Sequence, residues 1–144
     1  MIRRILLASA IGVLGATVVL AQGDPIAARK ALMKDNGTQG RIASEMIAGK
    51  QPFDLAKART VLKTFAAVSE KSKPLYPESS KSGDTAALPA VWENKVDFEA
   101  KLAKLGADAK AAEGKVTDLE SFKAVMGEVG KDCGGCHRTY RKRT

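Results

Sequence analysis

The residues best equipped for chemistry in this 144-residue chain lie near its C-terminus, in Cys133-Gly134-Gly135-Cys136-His137. Two thiols three positions apart, followed directly by an imidazole, form the pattern of a c-type haem attachment site. The thiols add across the haem vinyl groups and tether the macrocycle at two points, and the imidazole faces the iron as proximal ligand. The intervening glycines leave room for the porphyrin edge. His137 is the only histidine, so bis-histidine ligation is excluded. Other uses of Cys-x-x-Cys fit less well. A thiol-disulfide pair belongs at the start of a helix after a strand, whereas this one ends a helical pattern in a chain without strand-like runs. A zinc site needs about four ligands, and a plain disulfide leaves the histidine unexplained.

Four helical stretches must position these groups. The first runs from about Asp24 to Lys50, with Asp24 as N-cap and Pro25 in the first turn. The second begins at Pro52 and carries Phe53, Leu55, Val61, Leu62, Phe65 and Val68 to about Glu70. Residues 71–88, rich in Pro, Ser and Lys, read as a crossover loop. The third starts near Pro89, carries Val91, Trp92, Val96, Phe98, Leu102 and Leu105, and ends before Gly114. The fourth opens with Thr117-Asp118-Leu119-Glu120, which fits a capping box. Its stripe (Leu119, Phe122, Met126, Val129, Cys133, Cys136 with His137, Tyr140) advances in steps of three and four, so both thiols and the imidazole project from the core-facing side. Four amphipathic helices without strands predict an all-α, antiparallel four-helix bundle with covalently attached haem, the cofactor lying between facing helices. Large apolar side chains are few and alanines many, so a haem would fill much of the interior.

Residues 1–21 read as a cleavable signal peptide and 22–144 as one domain. Arg3 and Arg4 precede an uncharged apolar stretch that ends in Val19-Leu20-Ala21, a small-x-small cleavage pattern. That stretch is shorter than the about 20 residues a spanning helix needs, so no stable membrane anchor is expected after cleavage. Export, most simply to a bacterial periplasm, agrees with haem attachment outside the cytoplasm. The full chain has a formal charge of +8, and Arg138, Arg141, Lys142 and Arg143 flank the haem motif. In an exported chain with 5% aromatic residues, nucleic acid is not the expected target. The cluster is read either as steering toward an acidic redox partner or as a solvated helix end that suits the helix dipole.

Helix directions sort the candidates for the far side of the iron. In an up-down-up-down bundle the start of helix one faces His137. Met126 lies roughly 16 Å from His137 along the same helix at 1.5 Å per residue, and Met46 lies near the wrong end of helix one. Met33 is at the right level for a sixth ligand. Gly37 and Gly40 share about the same face, and each costs about 1 kcal/mol against alanine in mid-helix, as a flat ring pressed on the helix would require. Alternatively, Asn36-Gly37 ends the helix and Met33 is a core residue.

The stretch from Gly130 to Arg141, containing Cys133-Gly134-Gly135-Cys136-His137, resembles the class II cytochromes c, the cytochrome c′ family. Arg29-Lys30-Ala31-Leu32-Met33-Lys34-Asp35-Asn36-Gly37 resembles its low-spin, methionine-ligated branch, the cytochrome c-556 type. Trp92 followed by Phe98 is similar to the family's third-helix aromatic pattern. The resemblance spans essentially all of residues 22–144. It implies a four-helix bundle and one haem c, with Cys133 and Cys136 as thioether anchors, His137 as proximal ligand and Met33 as distal ligand. It also places Arg29, near a propionate, together with Arg141 and Trp92 in contact with the haem; the plain alternative for Arg29 is a solvent-exposed basic residue.

The expected function is electron transfer in the periplasm through a low-spin His/Met haem, with redox proteins as partners and no catalysis. A high-spin, five-coordinate protein binding NO or CO is the alternative, and an exported thiol-redox enzyme is a third reading. The chain is expected to be a monomer or a homodimer.

Overall fold

A computed structural model describes residues 23–143; the expected leader lies outside them. Five α-helices follow in order: α1 Pro25–Ile47, α2 Leu55–Ser72, α3 Ala90–Glu93, α4 Lys95–Glu113 and α5 Leu119–Tyr140. The described residues contain no strand; one isolated antiparallel bridge joins Ala87 to Arg141. None of the described helices is long and apolar enough to cross a membrane.

Local sequence chemistry accounts for the helix ends. The Asp24 carboxylate accepts from the Ile26 N–H at 2.8 Å, with Pro25 in the first turn, where its missing N–H goes unmissed. Helix α1 runs through Asn36-Gly37 without a break and gives way at Gly49, whose φ of +70° suits glycine. Helix α2 starts at Leu55 and not Pro52, because extended Asp54 caps it, accepting from Lys57 N–H at 2.9 Å.

Three further expectations need correction. The capping box of α5 sits one residue later than read: Asp118 is the N-cap and accepts from Ser121 N–H at 2.8 Å, while the Ser121 hydroxyl accepts from Asp118 N–H at 3.0 Å. The third helical stretch is two helices, broken at Asn94 (φ −119°, ψ 46°). That break resets the helical phase, so Val96, expected on the core stripe, is 85% exposed. Finally, the crossover is not wholly irregular, since it holds two short 3₁₀ turns, Lys73–Leu75 and Glu78–Ser80.

Contacts between neighbouring helices set their directions. The start of α1 reaches the segment after α2 through Arg29, and its other end buries Met46 in one cluster with Ala58 and Val61 of early α2. Early α2 meets the end of α4, where Arg59 donates to the Val116 carbonyl at 3.2 Å. Late α2 meets early α4, with the Ser69 hydroxyl donating to the Leu102 carbonyl. Tyr140 at the end of α5 donates to Asp97 in the first turn of α4, at 2.5 Å. These pairings make an antiparallel bundle of α1, α2, α4 and α5, with α3 as a turn leading into α4.

The apolar interior forms two clusters. One collects Met46, Val61, Leu62, Phe65, Leu105, Val116, Phe122 and Val129; the other collects Val91, Trp92, Phe98, Leu102 and Tyr140. Between them, α1 and α5 bound an open interior space.

Candidate haem site

That space is a cavity of about 630 Å³, within the size range of cofactor pockets. Its walls come from both apolar clusters: Phe65, Leu105 and Val129 from one, Val91, Phe98, Leu102 and Tyr140 from the other. Helix α5 contributes Cys133, Cys136 and His137 in its last two turns, and α1 contributes Met33, Asn36, Gly37 and Gly40. The antiparallel course of α1 and α5 brings Met33 and His137, 104 positions apart in the chain, to one cavity. Met126 also lines it but shares a helix with His137, while Met46 is fully buried in the apolar cluster away from it.

The residues present fit a flat, covalently held ring. A Cβ built on Gly37, Gly40 or Gly130, all in the cavity wall, meets no atom within 4 Å. Gly134 and Gly135 do not line the cavity; the Arg138 guanidinium lies over their outer side, 3.7 and 3.9 Å from where a Cβ would stand. Room for the ring therefore comes from the glycines of α1 and from Gly130, not from the pair inside the motif.

Electrostatics disfavour a reactive dithiol. Burial pushes the Cys133 thiol up, and neighbouring Asp132 pushes it further; burial likewise raises Cys136. A redox-active pair needs the opposite shift. Partial burial, and next the charge of Arg141, lower the His137 pKa and favour the neutral imidazole that a metal requires. Arg141 lines the cavity just beyond α5, where its N–H bonds the His137 carbonyl at 3.3 Å. The chain there is stitched to the crossover by Leu88 N–H to Tyr140 O at 2.9 Å and Lys142 N–H to Ala86 O at 2.8 Å.

Arg29 lies at the cavity, whereas Trp92 does not. Arg29 borders the cavity but is buried, not the solvated basic residue of the plain alternative, and its terminal nitrogens reach into the crossover. Trp92, expected at the haem, does not line the cavity. It packs behind the wall, donating its indole N–H to the Tyr76 and Pro77 carbonyls at 3.1 Å each, with Tyr76 between it and the space. Tyr76, Phe98 and Tyr140, with Phe65, form the aromatic lining instead, the Phe98 ring meeting the two tyrosines edge-on at 4.6 and 5.2 Å. Nothing in the sequence marks Tyr76, because the crossover has no helical periodicity to single out an inward face.

Comparison with known proteins agrees with this geometry. The family model for cytochrome c′ matches residues 24–141. A cytochrome c′ of Rhodopseudomonas palustris is 42% identical over 130 residues, covering 90% of this chain and 89% of that protein. A cytochrome c-556 of the same organism is 32% identical over 146 residues, covering 98% and 97%. The solved cytochrome c′ from R. palustris superposes with a TM-score of 0.82 at 41% identity, covering 85% of this chain and 99% of that one. A cavity walled by two thiols and an imidazole at the end of the last helix of a four-helix bundle, in a chain with these relatives, is that of a c-type cytochrome: the chain belongs to the cytochrome c′ family, whose members carry one covalently bound haem c.

Proposed function

We propose that this cytochrome is an electron carrier whose haem iron is held from both sides, by His137 and Met33. The observation that carries this reading is their convergence on one cavity from antiparallel helices, with Gly37 and Gly40 clearing the wall beside Met33. Cys133 and Cys136 would hold the ring by two thioethers and fix its distance from α5. When bound, the haem supplies an iron that alternates between ferric and ferrous states, one electron at a time. His137 offers a neutral nitrogen and Met33 a thioether that does not titrate, a pair that raises the potential relative to histidine alone. Both donors sit on packed helices, so an iron held between them would need little rearrangement on gaining or losing an electron. The leader expected at residues 1–21 supports a periplasmic location, and the exposed basic end of α5 supports acidic redox proteins as partners.

A second reading is five-coordinate iron that binds NO or CO, with Met33 only packing above it. It is favoured by the higher identity of the R. palustris cytochrome c′ than of the c-556 from that organism. Absorption spectra of the purified protein in both oxidation states separate the two. Sharp α and β bands, with a weak long-wavelength methionine–iron band when oxidised, are expected. Broad high-spin bands and ready CO binding would overturn the six-coordinate reading. Met33→Ala is expected to convert the iron to high-spin and open it to added ligands, whereas an unchanged spectrum would remove Met33 from the site.

A further inference from the structure

Helix α5 ends at Tyr140, three residues after His137. The last turn of a helix is its weakest, because the final four carbonyls have no partner within the helix and helix ends open first. Here that turn carries the proximal donor. A metal-binding histidine usually has its second ring nitrogen fixed by a carboxylate or a carbonyl. Among the described residues no hydrogen bond holds the His137 imidazole itself. The orientation of the ring is therefore inherited from the backbone that carries it.

Two elements pin that backbone. The crossover does so through the Leu88 and Lys142 amides already described. Helix α4 does so through a side chain: the Tyr140 ring is buried at the cavity wall, and its hydroxyl donates to the Asp97 carboxylate at 2.5 Å. Phenylalanine would satisfy the packing against Phe98, so the hydroxyl adds a tether between helices and not a better fit. A hydrogen bond to a charged acceptor is about twice as strong as one between neutral groups. Burial, and then the bond to Asp97, push the phenol up to about 12, so it remains a donor at neutral pH. Asp97 stands exposed in the first turn of α4, where a carboxylate suits the helix dipole, with the Lys101 ammonium 3.6 Å away. The break at Asn94 sets this register: the phase that buries Phe98 and turns Val96 outward leaves Asp97 within reach of the phenol.

We propose that Asp97, acting through the Tyr140 hydroxyl, is a positioning residue for the haem iron: it fixes the last turn of α5 and with it the plane of the His137 ring. His137 and Tyr140 are three positions apart on one helical face, so a hold on one constrains the other. The inference rests on the haem reading above but holds for five- or six-coordinate iron alike, since His137 is the proximal donor in both.

Electron paramagnetic resonance of the ferric, haem-loaded protein tests this, because its g values respond to how the axial ligands are oriented. Tyr140→Phe, which keeps the packed ring and loses the hydroxyl, is expected to shift and broaden the g values. Asp97→Ala is expected to produce the same change, and the double variant no further one, since both cut a single connection. Asp97→Asn keeps an acceptor oxygen and is expected to stay close to wild type. Gly106→Ala, outside the cavity lining, is expected to lower thermal stability with the g values in place, which separates positioning from loss of stability. Should Tyr140→Phe not fold, Asp97→Ala tests the same bond from an exposed position. The proposal fails if Tyr140→Phe or Asp97→Ala keeps the wild-type g values, or if their shifts add in the double variant. It fails equally if Asp97→Asn shifts as far as Asp97→Ala, or if Gly106→Ala moves the g values as far. Failure of the haem reading itself is separate, because the wild-type protein would then give no ferric haem signal before any variant is made.

Discussion

On the cavity side of α1, Gly37 and Gly40 stand in mid-helix, where each costs about 1 kcal/mol against alanine. No protein atom lies within 4 Å of a Cβ placed on either, so protein packing does not explain them, and a ring lying against α1 does. The two explanations separate by experiment. In haem-free protein, Gly37→Ala and Gly40→Ala are each expected to stabilise the fold by about 1 kcal/mol, a melting-temperature rise of several degrees. In haem-loaded protein, Gly37→Leu and Gly40→Leu are expected to weaken the long-wavelength methionine band or reduce haem incorporation. A spectrum identical to wild type in both leucine variants would take these glycines out of the haem seat.

Between elements, α2 packs tightly against α4 at Gly106. A Cβ on Gly106 would stand 2.9 Å from the Ser69 hydroxyl and 3.3 Å from its Cβ, and Ser69 is buried and bonded to the Leu102 carbonyl. That side chain has no long flexible end to swing aside. Gly106→Ala is therefore expected to destabilise the bundle by about 1–3 kcal/mol, despite alanine's better helix propensity, and Ser69→Gly in the same chain should recover part of the loss. Chemical denaturation of the two single variants and the double variant measures the coupling; additive effects would mean the helices do not meet there. The start of α5 makes a pH prediction. The Ser121 N–H, and then its hydroxyl, hold the Asp118 carboxyl below its ordinary 3.8. A carboxyl depressed in the folded state adds stability above the unfolded value and loses it as pH falls through the folded one. Asp118→Asn keeps a capping oxygen but cannot titrate, so its stability should fall less than wild type below about pH 4. Parallel acid-unfolding curves would show that this carboxyl does not contribute.

At the scale of the whole molecule, the cavity divides the apolar interior into two clusters, and its walls come from both. A ring seated there would touch both halves and complete one core, which is why so alanine-rich a chain can rely on so few large apolar side chains. Charge is also unevenly spread. Most lysines pair with a neighbouring carboxylate, as Lys104 does with Asp108 and Asp132 at 2.5 and 2.7 Å. Lys34, Arg138, Lys142 and Arg143, around the cavity's end of α1 and α5, are exposed and make no ion pair among the described residues. Steering by such a patch is expected to be salt-dependent. Lys34→Glu with Arg138→Glu should slow reaction with an acidic redox protein on the order of tenfold at low salt and converge on wild type at high salt. The same charge change at Lys57 and Lys110, at the opposite end of the bundle, should have little effect in stopped-flow measurements. Equal slowing by both pairs would reduce the patch to net charge alone.

Much of this was legible without coordinates, because covalent attachment writes its requirements into adjacent positions: Cys133, Cys136 and His137 are neighbours on one helical turn, and apolar period marks the face they share. An up-down-up-down order then sets helix direction, which is why Met33, Met46 and Met126 could be ranked by level alone. What periodicity could not carry was anything beyond a phase break or outside a helix. Asn94 turned Val96 outward, Trp92 fell behind the wall, and Tyr76 entered the lining from a crossover that has no repeating face. Arg29 is the sharpest case: its type and place on α1 are local facts. Its burial among Leu75, Ser80 and Thr85, some 46 to 56 positions away, exists only once the chain has folded back on itself, since local sequence sets which helical face a side chain takes and long-range packing sets which partners it meets there.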